Sequence, residues 1–348
     1  MKKSFLAISV ALTMLLTAGC AAAPKQTAKA SANTKFPQAP VVGSVRVAED
    51  SKEDAAIVYF TKTLDAAHLE KMYKLVNKDI SGKIAIKLHT GEKNGPNIIP
   101  SAWVKQVQAN IPNSKIVETN TYYGGDRYTT EQHRETLQVN GWTFCPVDIM
   151  DEFGTAMLPV KGGKHFKEMS MGKGILDYDS LVVLTHFKGH TMGGFGGSNK
   201  NIGIGCADGR IGKGLIHSGD LKADGPFTGG QWSISQEPFM ERMTESSKAT
   251  VDHFGKKITF VNVLRRMSIG CDCEGTSAPE PTIGDIGILA STDILAIDQA
   301  SVDLVYNSEH AKKHDLINRI ESRKGLHQLT HMANLNMGKK YYKLVEVK

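Results

Sequence analysis

The chain has 348 residues, 41% of them hydrophobic and 22% charged, which excludes wholesale disorder, a collagen-like repeat and a polytopic membrane protein. Its 42 basic and 36 acidic residues give a formal charge of +6. Without Lys2 and Lys3 the balance is 40 − 36 = +4, too weak to argue for nucleic acid as a partner.

Residues 1–19 have the layout of a leader, with Lys2 and Lys3 ahead of an apolar run from Phe5 to Leu16 that is too short to span a bilayer. Ala18 and Gly19 then precede Cys20, a sequence that resembles the lipobox of bacterial lipoproteins. The expectation is cleavage before Cys20, lipid on its sulfur and amino group, and an extracytoplasmic protein whose membrane partner is reached through that anchor. Residues 20–50, rich in Ala, Lys, Ser and Pro, read as a flexible tether, and residues 51–348 as one domain.

From Ala55 onward, strands alternate with helices. AAIVYF (55–60), KIAIKLH (83–89), KIVET (115–119), CPVDIM (145–150) and SLVVLTHF (180–187) read as buried strands. Between them, residues 64–76, 100–111 and 131–141 carry apolar residues at helical spacing, the second opened by Pro100 and the third closed by Gly141. Further helical periodicity spans Glu237–Phe254, a strand covers 257–264, and residues 283–306 read as strand, turn and helix. Two short helices and a YYKLVEV strand complete the chain. The pattern predicts an α/β fold with a mostly parallel central sheet flanked by helices.

The texture changes after Phe187. Fourteen of the 34 glycines fall within residues 189–230, which predicts a glycine-rich insertion at the sheet edge, beyond the end of the most apolar strand. Ligands collect at such strand ends in open α/β sheets. The stretch 185–220, which runs from the end of that strand into the insertion, supplies His186, His190, His217 and Cys206 as candidate metal ligands. Its Lys188, Lys200, Asn201 and Lys213 are candidates for holding a substrate or anion. No nucleotide motif is present: Gly212-Lys213 lacks both the upstream glycine and the following Ser/Thr of a P-loop, and Gly203-x-Gly205 meets Asp208 where a dinucleotide fingerprint needs glycine.

A second candidate segment is SIGCDCEG (268–275). The spacing of Cys271 and Cys273 is too tight for a comfortable disulfide between the two and does not match a zinc finger. Three uses remain open for Cys206, Cys271 and Cys273: a soft metal or cluster site completed by His190 or His217, a disulfide or thiol redox role, or packing. Cys145, opening a strand, reads as a small buried hydrophobe. His89 follows a strand and points to the same sheet edge, whereas His253, His310, His314, His327 and His331 lie on polar segments and read as surface residues. Asp293 reads as a helix N-cap and Asp298 as a buried group needing hydrogen-bond partners.

Taken together, KIAIKLHTGE, HFKGHTMGGFGGSNKNIGIGCADGRIGKGLIHS, FVNVLRRMSIGCDC, PTIGDIGILASTDILAIDQASVDLV and HMANLNMGKKYYKLVEV resemble the domain-of-unknown-function family 362. The resemblance covers nearly all of the chain after the tether. It implies an iron–sulfur-centre-like protein with an electron-transfer or redox role. Many relatives carry a ferredoxin-like run of cysteines at the place where this chain reads SGDLKADGPFTGGQWSISQE (218–237), which contains none. The implied site then reduces to His190, Cys206, His217, Cys271 and Cys273, holding a transition metal or a cluster. The alternative is a solute- or anion-binding lipoprotein with structural cysteines.

Overall fold

The computed structural model describes residues 41–42, 45–47, 55–218, 236–339 and 341–348. The expected leader, Cys20 and most of the tether lie outside them. Two short strands, β1 (Val41–Val42) and β2 (Val45–Val47), fall inside the stretch expected to be a tether. They are followed by β3 (Ala56–Thr61), α1 (Ala66–Lys74), β4 (Ile84–Lys87), α2 (Ser101–Ala109), β5 (Ser114–Glu118), α3 (Thr130–Val139) and β6 (Val147–Ile149). A hairpin of β7 (Thr155–Pro159) and β8 (Glu168–Gly172) leads to β9 (Ser180–His186). The glycine-rich stretch then forms a small hairpin, β10 (Lys188–His190) and β11 (Gly194–Gly196), and two short helices, α4 (Ser198–Gly205) and α5 (Ile211–His217). After these come α6 (Gln236–Phe254), β12 (Ile258–Leu264), β13 (Gly287–Ser291), α7 (Ile294–Tyr306), α8 (Lys313–Ser322), α9 (His327–Asn334) and β14 (Tyr342–Glu346).

The central sheet runs β1-β2-β14-β3-β13-β12-β9-β4-β5-β6. Within its eight main strands, from β14 to β6, only β13 runs antiparallel to its neighbours. The alternating strand–helix pattern is therefore realised as an α/β fold with a mostly parallel sheet. β2 pairs antiparallel with β14, so part of the presumed tether extends the sheet edge. Its Val-x-Val alternation is the strand signal there.

Strand period explains why the central strands are apolar throughout. In β9, Leu181 and Val183 pack in the core shared with α4, α6 and α7, while Val182 and Leu184 face the opposite core with α1 and α2. β4 does the same, with Ala85 on one side and Ile84 and Ile86 on the other. A strand buried on both faces reads as a continuous apolar run, and parallel sheets are covered this way. Truncating a fully buried side chain such as Leu184 to Ala costs about 2–5 kcal/mol through lost transfer energy and the cavity left behind. No described helix is long and apolar enough to cross a membrane.

Candidate functional site

β4, β5 and β9 run parallel and finish side by side, and each ends in a polar residue: Lys87, Glu118 and His186. Above these ends α4 is set across the sheet. Its Asn201 donates to Leu184 O (3.1 Å) and to Thr185 Oγ1 (3.0 Å), which pins the helix to the tip of β9. The helix start is capped from α7, where the Asp298 carboxylate accepts from the backbone N–H groups of Ser198 (2.8 Å) and Asn199 (2.9 Å). A Cβ on Gly197 would sit 2.5 Å from Asp298 Oδ1, so only glycine lets that cap close. Burial raises the Asp298 carboxyl to about 6 against these hydrogen bonds, and the role read for it, a buried acid needing partners, is structural.

Between the strand ends and the helices lies a cavity of about 450 Å³. Five cationic side chains line it, Lys87, Arg127, Lys188, Lys200 and Lys213, against the carboxylates of Glu118 and Glu274. Three of the cations are answered by acids, two of them buried. Lys87 Nζ lies 2.8 Å from Glu118 Oε2, Arg127 Nη2 lies 2.6 Å from Glu92 Oε1, and Lys188 Nζ lies 2.8 Å from Asp272 Oδ2. Burial alone would raise the Glu118 and Asp272 carboxyls. Lys87 and Arg127 hold the first, and His186 and Lys188 the second, well below the usual carboxylate range.

Lys213 and Lys200 have no such partner among the described residues. Lys213 spends its N–H donors on Thr119 Oγ1 (2.7 Å) and the Asn120 carbonyl, and burial lowers its amine to about 8. Lys200, 6% exposed, makes its one hydrogen bond among the described residues to Cys271 Sγ, at 3.6 Å. Burial and the adjacent Lys188 push this amine well below the ordinary lysine range. The two lysine stems run past Gly196, whose Cβ position is 3.5 Å from Lys188 Cε and 3.7 Å from Lys200 Cδ. Lys200 therefore keeps N–H donors for a ligand, and Lys188, bonded to Asp272 and to His186 O (2.9 Å), keeps one.

The cysteine segment reaches this corner because a backbone comes unusually close. Gly189 N donates to Ser268 O at 2.7 Å, and a Cβ on Gly189 would collide with Ile269 O at 2.2 Å. This approach carries His190 to the loop holding Cys271 and Cys273. Potential ligand atoms of His190, Cys271 and Cys273 all lie within 4.8 Å of one another, a group that could hold a metal ion. The two sulfurs, however, are joined as a disulfide, with Cα atoms 5.1 Å apart. The sequence expectation of no comfortable bond between them is corrected. The chain turns at this point into a short 3₁₀ segment, Asp272–Ser277, which brings the two Cα atoms within disulfide range.

His190 stacks on Phe239 at 5.9 Å, and its Nδ1 accepts from Gly193 N (2.9 Å) and Met192 N (3.3 Å). Burial, reinforced by Lys200, holds the ring neutral. With Nδ1 acting as acceptor, the proton of the neutral ring sits on Nε2.

Of the residues singled out from the sequence, Lys188, Lys200, Asn201, Lys213, His186, His190, His217 and Cys273 line the cavity, as does His89. His217 stands outside the His190–cysteine group. It stacks against Tyr122, and its Nδ1 meets Lys213 O at 2.7 Å. Cys206 is not brought to the other sulfurs. It caps the end of α4, fully buried in the hydrophobic core, where burial pushes its thiol up to about 11. The three-thiolate arrangement is therefore not formed, because α4 turns this side chain toward α6 and Thr250. Cys145 is half-buried, and His331 is buried beside Glu245 rather than on the surface.

Sequence reasoning missed Lys87, Glu118, Arg127, Glu92 and Asp272, the ion pairs that build the cavity wall. A lysine closing the apolar run IAIK and a glutamate closing KIVE were the available signals.

The family described as "Domain of unknown function (DUF362)" matches residues 84–303, which include every residue lining the cavity. Among solved structures, the lactate racemase apoprotein from Thermoanaerobacterium thermosaccharolyticum aligns at 12% identity and a TM-score of 0.36, over 77% of this chain and 61% of that one. A protein from Thermotoga maritima aligns at 13% identity and a TM-score of 0.42, over 71% of this chain and 60% of that one. The chain thus spans about three-fifths of the length of either structure, and likenesses this distant do not bear on its chemistry. No curated protein matches the sequence.

Proposed function

The chain belongs to the DUF362 family, and from that premise we propose that it binds a small anionic molecule in the cavity and acts on it by thiol redox chemistry at Cys271 and Cys273. The observation that carries this reading is Lys200. It is a buried lysine with no carboxylate partner among the described residues, and it stands in the cavity wall beside Lys188, with its Nζ against the Cys271 sulfur. A buried ammonium without a counter-ion is costly, and a ligand carboxylate or phosphate supplies the missing charge. Thr191 and the Nε2–H of His190 add hydrogen-bonding groups to the cavity wall.

Isothermal titration with succinate, phosphate and the uncharged succinamide tests the reading. The two anions should bind with displacement from the cavity by one another, and Lys200→Met should abolish both signals. Equal binding of succinamide, or binding unchanged in Lys200→Met, contradicts it.

The His190–Cys271–Cys273 group favours a second reading, in which the reduced cysteine pair holds a transition metal. The two thiolates fit a soft metal. His190 fits less well, because ligating histidines usually donate from their second nitrogen and here that atom accepts from two backbone N–H groups. Three donors also fall short of the four protein ligands of an iron–sulfur cluster, and Lys200 places positive charge beside the sulfurs. Anaerobically reduced protein titrated with Co²⁺ tests this reading: thiolate-to-cobalt absorption lost in Cys271→Ser supports it, and no thiolate band contradicts it.

The same proposal places the protein outside the cytoplasm, lipid-anchored through Cys20, as its leader-like first 20 residues suggest. Cys20→Ser should release it from the membrane fraction, and unchanged fractionation contradicts the anchor.

A further inference from the structure

We propose that the Cys271–Cys273 disulfide exchanges selectively with small thiols that carry a carboxylate, with attack directed at Cys273 and Cys271 as the leaving sulfur. This inference rests on the anion-binding reading of the cavity and names the class of molecule that would use it.

The two sulfurs are not equivalent. Cys273 lines the cavity, whereas Cys271 is 1% exposed and is not part of the lining. An incoming thiolate thus meets Cys273 first. Lys200 Nζ lies 3.6 Å from Cys271 Sγ, and the Cys273 backbone N–H points at the same sulfur from 3.5 Å. Negative charge that develops on Cys271 during exchange is met by the Lys200 amine, which a bound carboxylate keeps protonated, and by a fixed donor already in place. Exchange is fastest when the departing thiolate is stabilised, so the geometry favours one direction of cleavage. Lys188 and Lys200 both line the wall around Cys273, within reach of a carboxylate carried by the attacking molecule. A volume of about 450 Å³ admits a small carboxylate-bearing thiol.

The chemistry balances without a further reagent. The thiolate of the small molecule forms a bond to Cys273 Sγ, the Cys273–Cys271 bond breaks, and its electron pair stays on Cys271, which takes its proton from Lys200 or solvent. A second thiolate then attacks the small-molecule sulfur of the mixed disulfide and releases Cys273. Two thiols are oxidised to one disulfide, and the protein disulfide is reduced to a dithiol. The reverse sequence oxidises the protein.

The test compares mercaptosuccinate, 2-mercaptoethanol and cysteamine as attacking thiols on the oxidised full chain. Rates are corrected for thiolate concentration and referenced to a small uncharged disulfide, and the mixed disulfide is located by acid quench and peptide mass. The expected result is an adduct on Cys273, with mercaptosuccinate about ten-fold or more faster than cysteamine, the scale of steering by buried like-signed charge. Lys200→Met should remove the preference. In the wild type, succinate, which has no thiol, should slow mercaptosuccinate but not change the reference reaction. An adduct on Cys271, or cysteamine reacting as fast as mercaptosuccinate, overturns the proposal. If succinate binds while the three thiols react alike, only the thiol inference falls. If succinate does not bind, the anion-binding reading falls with it.

Discussion

Asp272 lies between the two cysteines and anchors their loop to the sheet, which makes Asp272→Asn a sharp test of how the site is held. The carboxylate accepts from Lys188 Nζ at 2.8 Å and from His186 Nδ1 at 2.9 Å, and the side chain is 3% exposed. An amide keeps the shape but removes the charge, and its NH₂ turns toward donors that need an acceptor. Breaking one partner of a buried pair costs about 3–5 kcal/mol, because the remaining cation stays buried and unanswered. For a slope of about 3 kcal/mol/M, that loss moves the urea midpoint down by about 1 M or more. Unfolding followed through Trp103 and Trp142 fluorescence, with circular dichroism as a second probe, reads the shift. Formate should restore part of the loss by meeting Lys188 in place of the missing carboxylate. A midpoint change below about 0.3 M, insensitive to formate, would refute the reasoning that this ion cluster organises the corner.

Acid should weaken the fold through its buried histidines. His89, His133, His190 and His217 all have lowered values, at about 3 for His133 and about 4 for His217, chiefly because burial opposes their charged forms. Below the ordinary value near 6.5 the unfolded chain binds protons that the folded chain refuses, so stability falls as pH drops from about 6.5 toward 3. Urea midpoints that stay flat between pH 7.5 and pH 5 would contradict this. Cys206 should resist alkylation in the folded protein and react only on unfolding, and Cys206→Ala should cost about 1–2 kcal/mol without altering anion binding or disulfide exchange. Rapid labelling of Cys206 under native conditions would count against its placement in the core. Gly189→Ala should separate the hairpin from the cysteine loop, since its Cβ would meet Ile269 O at 2.2 Å. The expected readout is loss of the anionic preference in disulfide exchange, with a stability cost of about 1–3 kcal/mol from overpacking.

The layered α/β architecture was legible because its signals are local. Continuous apolar runs such as SLVVLTH mark strands covered on both faces, and helical spacing marks the layers over them. The cavity was half legible. The glycine-rich stretch follows β9, an interior strand, so it lies at the ends of the central strands rather than at the expected sheet edge, and Lys188, Lys200, Asn201 and Lys213 line the cavity there. Glycine also misled, since Ser198–Gly205 and Ile211–His217 form helices despite their composition. α4 does so with its first N–H groups held by Asp298, a residue one hundred positions away from Ser198. Long-range partners of this kind leave no local trace. The same limit applies to Asp272, whose partners His186 and Lys188 come from the end of β9 and the hairpin after it. Cys206 was grouped with the other sulfurs by residue type, and the turn of α4 that buries it instead could not be read from spacing.

The proposed chemistry depends on an anion at the Lys188–Lys200 corner, and crystals grown with selenate or iodide measure that directly. Anomalous scattering should place an ion within hydrogen-bond or contact distance of both Lys200 Nζ and Lys188 Nζ, next to the Cys271–Cys273 pair, and Lys200→Met crystals should lose that peak while keeping surface sites. Anomalous peaks confined to the protein surface, with only water at the two lysines, would contradict it.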